Sequence, residues 1–375
     1  MPAEFPTLAA AAAWHAAWLE QAALPLWASA GVDSVGGGFQ EALTVAGDPW
    51  PALRRSRVQT RQIWVYATVA AEGLGAAHAT LARRAYGFYV ARYRRADGLF
   101  ARAATSEGEI ADATAALYEQ AFSLLAMAAL ERLDAGAFES DARALRAALE
   151  PLRHPAGGFR EVGDHPFQAN AHMHLLEAAL AWEAVGRDDW AALSDEIAQL
   201  ALARFVDRQA GLLHEFFDAD WRRLGDATGG LVEPGHQFEW AWLLERWGRA
   251  RGRRDALDVA GQLYVAGLSG VDAHSGIVAN ALWSDLRLRD PASRLWTQTE
   301  YLKAALVFGD DGEALRAARG LASYLETPRP GTWRDKRAAD GSFVEEPAPA
   351  SSFYHLVGAI LPLGRNSENA LGLRA

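Results

Sequence analysis

The 375-residue chain contains no cysteine. That excludes a disulfide framework, a thiolate zinc site, an iron–sulfur cluster and a thiol nucleophile. Lysine is almost as scarce, since Lys303 and Lys336 are the only two among 37 basic side chains. Basic charge is not in excess either: 47 acidic residues leave a net charge of −10, a poor balance for binding nucleic acid through its phosphates. No apolar run approaches the roughly 20 residues of a membrane span. The start, MPAEFPTLAAAAAWHAAWLE, has no basic segment followed by an apolar stretch and cleavage site, so no signal peptide is read there and a cytoplasmic location is expected. No GxxxxGK[ST] loop supports nucleotide use. What is present is an ordinary globular mixture, 50% hydrophobic and 22% charged, with 14 tryptophans.

Length alone suggests two to three domains at roughly 150 residues each, but an internal repeat changes that reading. Gly38, Gly98, Gly158, Gly211, Gly276 and Gly341 each sit in a short Gly-plus-apolar motif, at spacings of 60, 60, 53, 65 and 65 residues. Six units of about 60 residues are each too small to bury a core and must pack on one another. Between the motifs, apolar residues recur at three- and four-residue spacing. This predicts helices over 6–29, 57–74, 76–95, 112–131, 138–152, 169–185, 187–206, 235–250, 252–268, 293–308, 311–326 and 351–364. Two helices per unit, with a glycine turn after each odd-numbered helix, predict an all-α (α/α)6 barrel: six helical hairpins in inner and outer rings, forming one domain over residues 1–375. An open superhelix is the alternative, disfavoured because the last helix is itself rich in polar candidates.

Those candidates lie on even-numbered helices: Arg61, Tyr118, Asn170 with His174, His236 with Glu239, Trp296 with Glu300, and His355. If the even helices share the inner ring, these side chains converge on one cavity. His236 and Glu239 are three apart and can touch, as a base and its orienting carboxylate do. His172 and His174 point about 200° apart on a helix, so they cannot chelate one ion and His172 reads as structural. Arg61 in an apolar helix needs a partner or a wet cavity, and Glu300 is a natural counter-ion for it. Arg54, Arg55 and Arg57 suit a substrate phosphate, although an ion-paired surface is the favoured reading. No third metal ligand follows from the spacing around His236 and Glu239, so no metal and no cofactor are expected.

The segments TRQIW, ALYEQAF, NAHMHLLEA, PGHQFEWAW, WTQTE and SSFYHL, in this order and spacing, resemble the N-acylglucosamine 2-epimerase family, which also holds mannose isomerases and cellobiose 2-epimerases. The resemblance extends from the second helix to the last. It implies an (α/α)6 barrel and metal-independent chemistry at C2 of an aldose. It matches Arg61 to the family's active-site arginine, Asn170 and His174 to its Asn-x-x-x-His pair, His236 and Glu239 to its His-x-x-Glu motif, and His355 to the histidine of the last inner helix. The SSFYHL ending looks more like mannose isomerases.

The C2 proton of a sugar is acidic only beside an open C1 carbonyl. Ring opening must therefore come first, and an enediolate follows. Histidine can accept and donate near neutrality, and arginine can stabilise the oxyanion. The expected roles are His236, oriented by Glu239, as the C2 proton shuttle and His355 as the ring-opening group. Tyr118, Asn170, His174 and Glu300 hold hydroxyls, while Trp296 offers a face to the sugar ring. The expected reaction is mannose–fructose isomerisation of a small monosaccharide. A 2-epimerase is the alternative, and a glycoside hydrolase on the same barrel is less favoured, since it needs a carboxylate pair. A non-catalytic scaffold would leave the inner polar residues without purpose. The sequence leaves monomer or homo-oligomer open.

Overall fold

A computed structural model describes residues 5–34 and 36–370, with side chains to Asn366. Thirteen α-helical segments are present: α1 Leu8–Trp18, α2 Leu24–Ser29, α3 Ser56–Ala71, α4 Ala76–Tyr93, α5 Leu117–Leu133, α6 Glu139–Ala148, α7 Ala169–Ala184, α8 Ala191–Leu200, α9 Pro234–Arg251, α10 Arg254–Leu268, α11 Leu295–Phe308, α12 Asp311–Leu325 and α13 Ser352–Ala370. A π-helical turn, Leu19–Ala23, joins α1 to α2 in one rod, so the twelve predicted helices are the twelve rods observed. A start is misplaced at α5. It starts at Leu117 instead of 112 because Ile110–Asp112 pairs antiparallel with Ala103–Ala104 in a small rim sheet.

The rods form two rings. α3, α5, α7, α9, α11 and α13 pack each on the next, and α13 returns to α3, which closes the ring and excludes the open superhelix. α4, α6, α8, α10 and α12 back the helix before each, and α1 backs α13. A second seam crosses the same closure, where Ala42–Leu43 pairs with Ala348–Pro349. Sequence patterning separates the rings. On the outer α12, Ala314, Ala317, Ala318, Leu321, Ala322 and Leu325 form one buried stripe, whereas α5 is buried on nearly every side.

The glycine motifs are the hinges of this plan. Each repeat glycine has positive φ, from 67° at Gly211 to 87° at Gly98. Around them the chain folds back on itself, as in Val32↔Phe39, Arg94↔Phe100, Arg153↔Phe159, Val271↔Val278 and Arg337↔Phe343. The fourth residue of five inner helices then clamps the turn. Gln59 accepts from Phe39 N (2.8 Å) and donates to Phe39 O (2.9 Å). Gln120 holds Phe100 and Gln237 holds Leu213 in the same way, and Gln298 holds Val278 and Gly276. His172 replaces glutamine in the third unit, where its Nε2 accepts from Phe159 N at 2.9 Å. In α13 the corresponding residue is Phe353, buried against Trp27 and Trp333.

A side chain at Gly158 would meet His172 Nε2 at 2.7 Å, in addition to the cost of positive φ. Gly158→Ala is therefore expected to cost about 2–3 kcal/mol in urea unfolding. Gly136→Ala, with the same backbone sign and open space around it, should cost only about 1–2 kcal/mol. At Gly158 the same Cβ would meet Leu200 Cδ2 at 2.6 Å, so equal losses would mean that neither the clamp nor this packing contributes to the cost.

Candidate active site

The clamp explains the site. Residues two before and two after it on a helix point about 200° away, hence inward. Those positions are Arg57 and Arg61, Tyr118 and Phe122, Asn170 and His174, Gly235 and Glu239, Trp296 and Glu300, Ser351 and His355. All of these but Phe122, Gly235 and Glu300 line a cavity of about 420 Å³, whose walls include Arg61, Tyr118, Asn170, His174, His236, Glu239, Trp296 and His355. The lining residues of all six inner helices come from their first two turns, so six positive helix ends face this space. The first turn of α5 is further fixed by Glu161, which accepts from Leu117 N (2.8 Å) and Tyr118 N (2.9 Å).

Arg61 is buried and, among the described residues, makes no ion pair within 4 Å. Its Nη2 donates to the Tyr118 hydroxyl at 2.7 Å and its Nη1 to Ser351 O at 3.3 Å. Its guanidinium lies over Phe122 at 4.1 Å. Glu300 is not its counter-ion, contrary to the sequence-based expectation. Glu300 stands behind His355, fully buried and outside the cavity lining. It accepts from His355 Nδ1 (2.9 Å) and Trp242 Nε1 (3.0 Å) and pairs with Lys303 (2.9 Å).

The expected His236–Glu239 pair is also corrected. His236 Nδ1 lies 3.0 Å from Glu215 and 3.3 Å from Glu233. Glu239 instead reaches toward His174 Nδ1, at 3.7 Å, and its Oε1 is buried without a hydrogen-bond partner. Burial, reinforced by the Glu300 charge, holds the Glu239 carboxyl well above the usual range. His174 also contacts Glu177 at 3.3 Å and presents its ring edge-on to Tyr118.

Three histidines line the cavity, and His236 differs sharply from His174 and His355. Burial pulls the pKa of His236 down, but the charges of Glu215 and Glu233 outweigh it and raise it to about 10. Burial takes His355 the other way, to about 3, with the charges of Arg61 and Lys303 adding to the effect despite the Glu300 bond. At neutral pH the cavity thus holds one cationic imidazole, His236, and two neutral ones, His355 and His174, the latter lowered to about 4 chiefly by burial. Trp296 lies between His236 and His355, 5.0 Å from the first and 6.0 Å from the second.

The arginine cluster divides. Arg54 turns away to Asp33 (2.5 Å), Arg55 pairs with Glu41 and Arg57 with Glu119 (2.8 Å). Arg55 and Arg57 nevertheless line the cavity, joined by Arg102 and Arg294, whose carboxylates stand farther off at 3.6 and 4.0 Å. Among the described residues, the side chains placed to share a metal ion are His174, Glu177 and Glu239, with donor atoms within 4.8 Å of one another, and not His236. The chain meets this trio with its own protons and cations: the Tyr354 hydroxyl donates to Glu177, and the Lys303 charge acts on both carboxylates.

A sequence model of N-acylglucosamine 2-epimerase matches residues 37–359. The chain belongs to the N-acylglucosamine 2-epimerase family. It is 44% identical over 368 residues to a mannose-6-phosphate isomerase of Rhizobium meliloti (strain 1021), covering 93% of this chain and 95% of that one. The solved cellobiose 2-epimerase of Spirochaeta thermophila DSM 6192 superposes with a TM-score of 0.86 at 22% identity over 98% of both chains. A solved D-mannose isomerase does so with 0.86 at 18% identity, over 96% of this chain and all of that one. These superpositions share the (α/α)6 barrel. Among the described residues no helix is long and apolar enough to cross a membrane.

Proposed function

We propose that the protein is an aldose–ketose isomerase of the mannose–fructose type, moving a proton between C2 and C1 through a cis-enediolate. The observation that carries this reading is the pair of unlike histidines on one cavity. His355 is neutral, and with Nδ1 held by Glu300 its Nε2 is left as the base toward substrate. As it takes the C2 proton, Glu300 stabilises the imidazolium, as a buried carboxylate does behind a catalytic histidine. His236 is the acid, protonated at neutral pH and placed to donate to the ring oxygen during opening. These roles reverse those expected from sequence. Arg61, with no carboxylate partner, stabilises the enediolate oxygen together with the helix N-termini. Tyr118, Asn170, His174 and Glu239 bind hydroxyls, and Trp296 covers a face of the sugar. We place the activity in the cytoplasm.

Two features support a phosphorylated substrate: arginines on the cavity wall, with Arg102 and Arg294 loosely paired, and a relative at 44% identity that bears the name mannose-6-phosphate isomerase. Charge-assisted bonds to a phosphate contribute about 1.5–3 kcal/mol each, so kcat/KM for mannose 6-phosphate should exceed that for mannose by roughly tenfold or more. Equal values would remove the phosphate from the reading. The 2-epimerase alternative uses the same histidines, with His236 returning a proton to the opposite face of C2. A ¹H NMR time course in D₂O separates the two. Ketose with proton partly carried from C2 to C1 is expected, and an aldose epimer deuterated at C2 as first product would overturn the isomerase.

A further inference from the structure

Only two basic side chains of the 37 are lysine, and one is buried in the barrel. Lys303 lies on α11 one turn beyond Glu300, with Nζ 2.9 Å from Glu300 Oε2 and 3.2 Å from Oε1, and 4.2 Å over the Trp242 ring. Trp242 Nε1 donates to the same Oε2, and Oε1 receives His355 Nδ1. The result is a continuous line from Lys303 through Glu300 to the imidazole on the cavity. Lys303 and Glu177 also border a second cavity, about 1160 Å³, at the other end of the barrel. The ammonium therefore sits in the floor between the two spaces.

We propose that Lys303 is a positioning residue: its ammonium keeps Glu300 ionised and so holds His355 in the Nδ1–H tautomer with Nε2 toward substrate. The role assigned to His355 rests on the isomerase reading, whereas the tautomer does not. A buried carboxylate left without a cation takes up a proton, and a protonated Glu300 would no longer demand the proton of Nδ1. The charges around this line are few and named. Glu300, Lys303 and Arg61 act on His355, and Glu300, Glu177 and Glu239 act on Lys303. Burial lowers the Lys303 pKa, but the three carboxylates outweigh it, so the ammonium persists. Its loss also removes a repulsion that keeps His355 neutral.

The test is Lys303→Met in protein carrying ¹⁵N-histidine, with His355→Asn to assign the signal. Expected are a mixed or Nε2–H tautomer for His355, a kcat at least tenfold lower with KM within about threefold, and an acid limb of activity at a pH where the variant is still folded. An unchanged His355 signal and wild-type kcat per folded molecule would overturn the proposal. If Lys303→Met does not fold, Trp242→Phe removes the other Glu300 donor without touching charge. It should shift the same ¹⁵N signal in the same direction by less, and no shift would break the line at Glu300. The ¹⁵N readout needs no substrate. A shifted tautomer in an enzyme inert toward mannose and mannose 6-phosphate would retire the isomerase reading and leave Lys303 in its role.

Discussion

His355→Asn should lower kcat by about 10²–10⁴, the range for losing a general base, while leaving the fold intact. Asparagine can still donate to Glu300, and Glu300 keeps Lys303 and Trp242, so no buried charge is stranded. The reading requires that C2-proton exchange into solvent and ketose formation fall together, because both begin with removal of the C2 proton. A variant that loses ring opening but still exchanges C2 of the open-chain sugar would place the base elsewhere. His236→Asn gives the complementary result. Wild-type activity should fall as pH rises through about 10, where His236 gives up its proton, and that alkaline limb should vanish in the variant. Circular dichroism and urea midpoints at neutral pH supply the control, since a structural histidine would show its loss there and not in turnover.

The fold was legible in the sequence because its repeat is simple. One glycine per unit must take positive φ, and on five of the six inner helices one polar residue reaches back to hold the turn. The inward polar residues could be read from helical periodicity once the rings were assigned. The partners of His236 could not be read locally. The spacing to Glu239 drew attention because i to i+3 residues touch, yet Glu233 stands at the same distance on the other side, just outside the helix. Glu215 comes from a loop 21 residues upstream, which no helical spacing reveals. The repeat does contain the signal: two residues after four of the five clamped residues lies Glu41, Arg102, Glu161 or Glu215, and Asn280 follows the fifth. Arg102 and Glu161 line the cavity, Glu41 pairs with Arg55 on its wall and Glu215 stands behind His236. Glu300 was misassigned for a related reason, because burial cannot be told from cavity exposure when a helix is enclosed on all sides.

The same repeat sets the response to acid. His15, His172, His174 and His214 are lowered to about 4 and His355 to about 3, in each case chiefly by burial. In the unfolded chain each takes a proton near pH 6.5, but in the fold not until pH 4 or below. Between those values these five side chains bind more protons in the unfolded chain, so their contribution to stability falls as pH falls. The buried carboxyls of Glu41, Glu119, Glu233, Glu239 and Asp335, raised chiefly by burial, take protons first in the fold and oppose part of that loss. Each shift is equivalent to about 3 kcal/mol, and five together, even at half additivity, remove about 8 kcal/mol from a domain stability of roughly 5–15. His236, raised to about 10, is charged in both states across this window and offers no compensation. Its contribution is present below pH 6.5 and lost as pH rises toward 10. The urea midpoint should therefore drop between pH 6 and pH 4.

His172 makes the argument specific. Its Nδ1–H bonds Gln168 O at 2.8 Å, leaving Nε2 as the acceptor for Phe159 N, so a second proton sets two donors against each other. Four other units perform this clamp with glutamine, which does not titrate. His172→Gln should preserve stability at pH 7.5 to within about 1 kcal/mol, because glutamine can accept from Phe159 N and donate to Phe159 O as elsewhere in the ring. It should also flatten the loss of stability between pH 6.5 and 4 by one proton. A variant with unaltered pH dependence would show that His172 does not remain neutral in the fold.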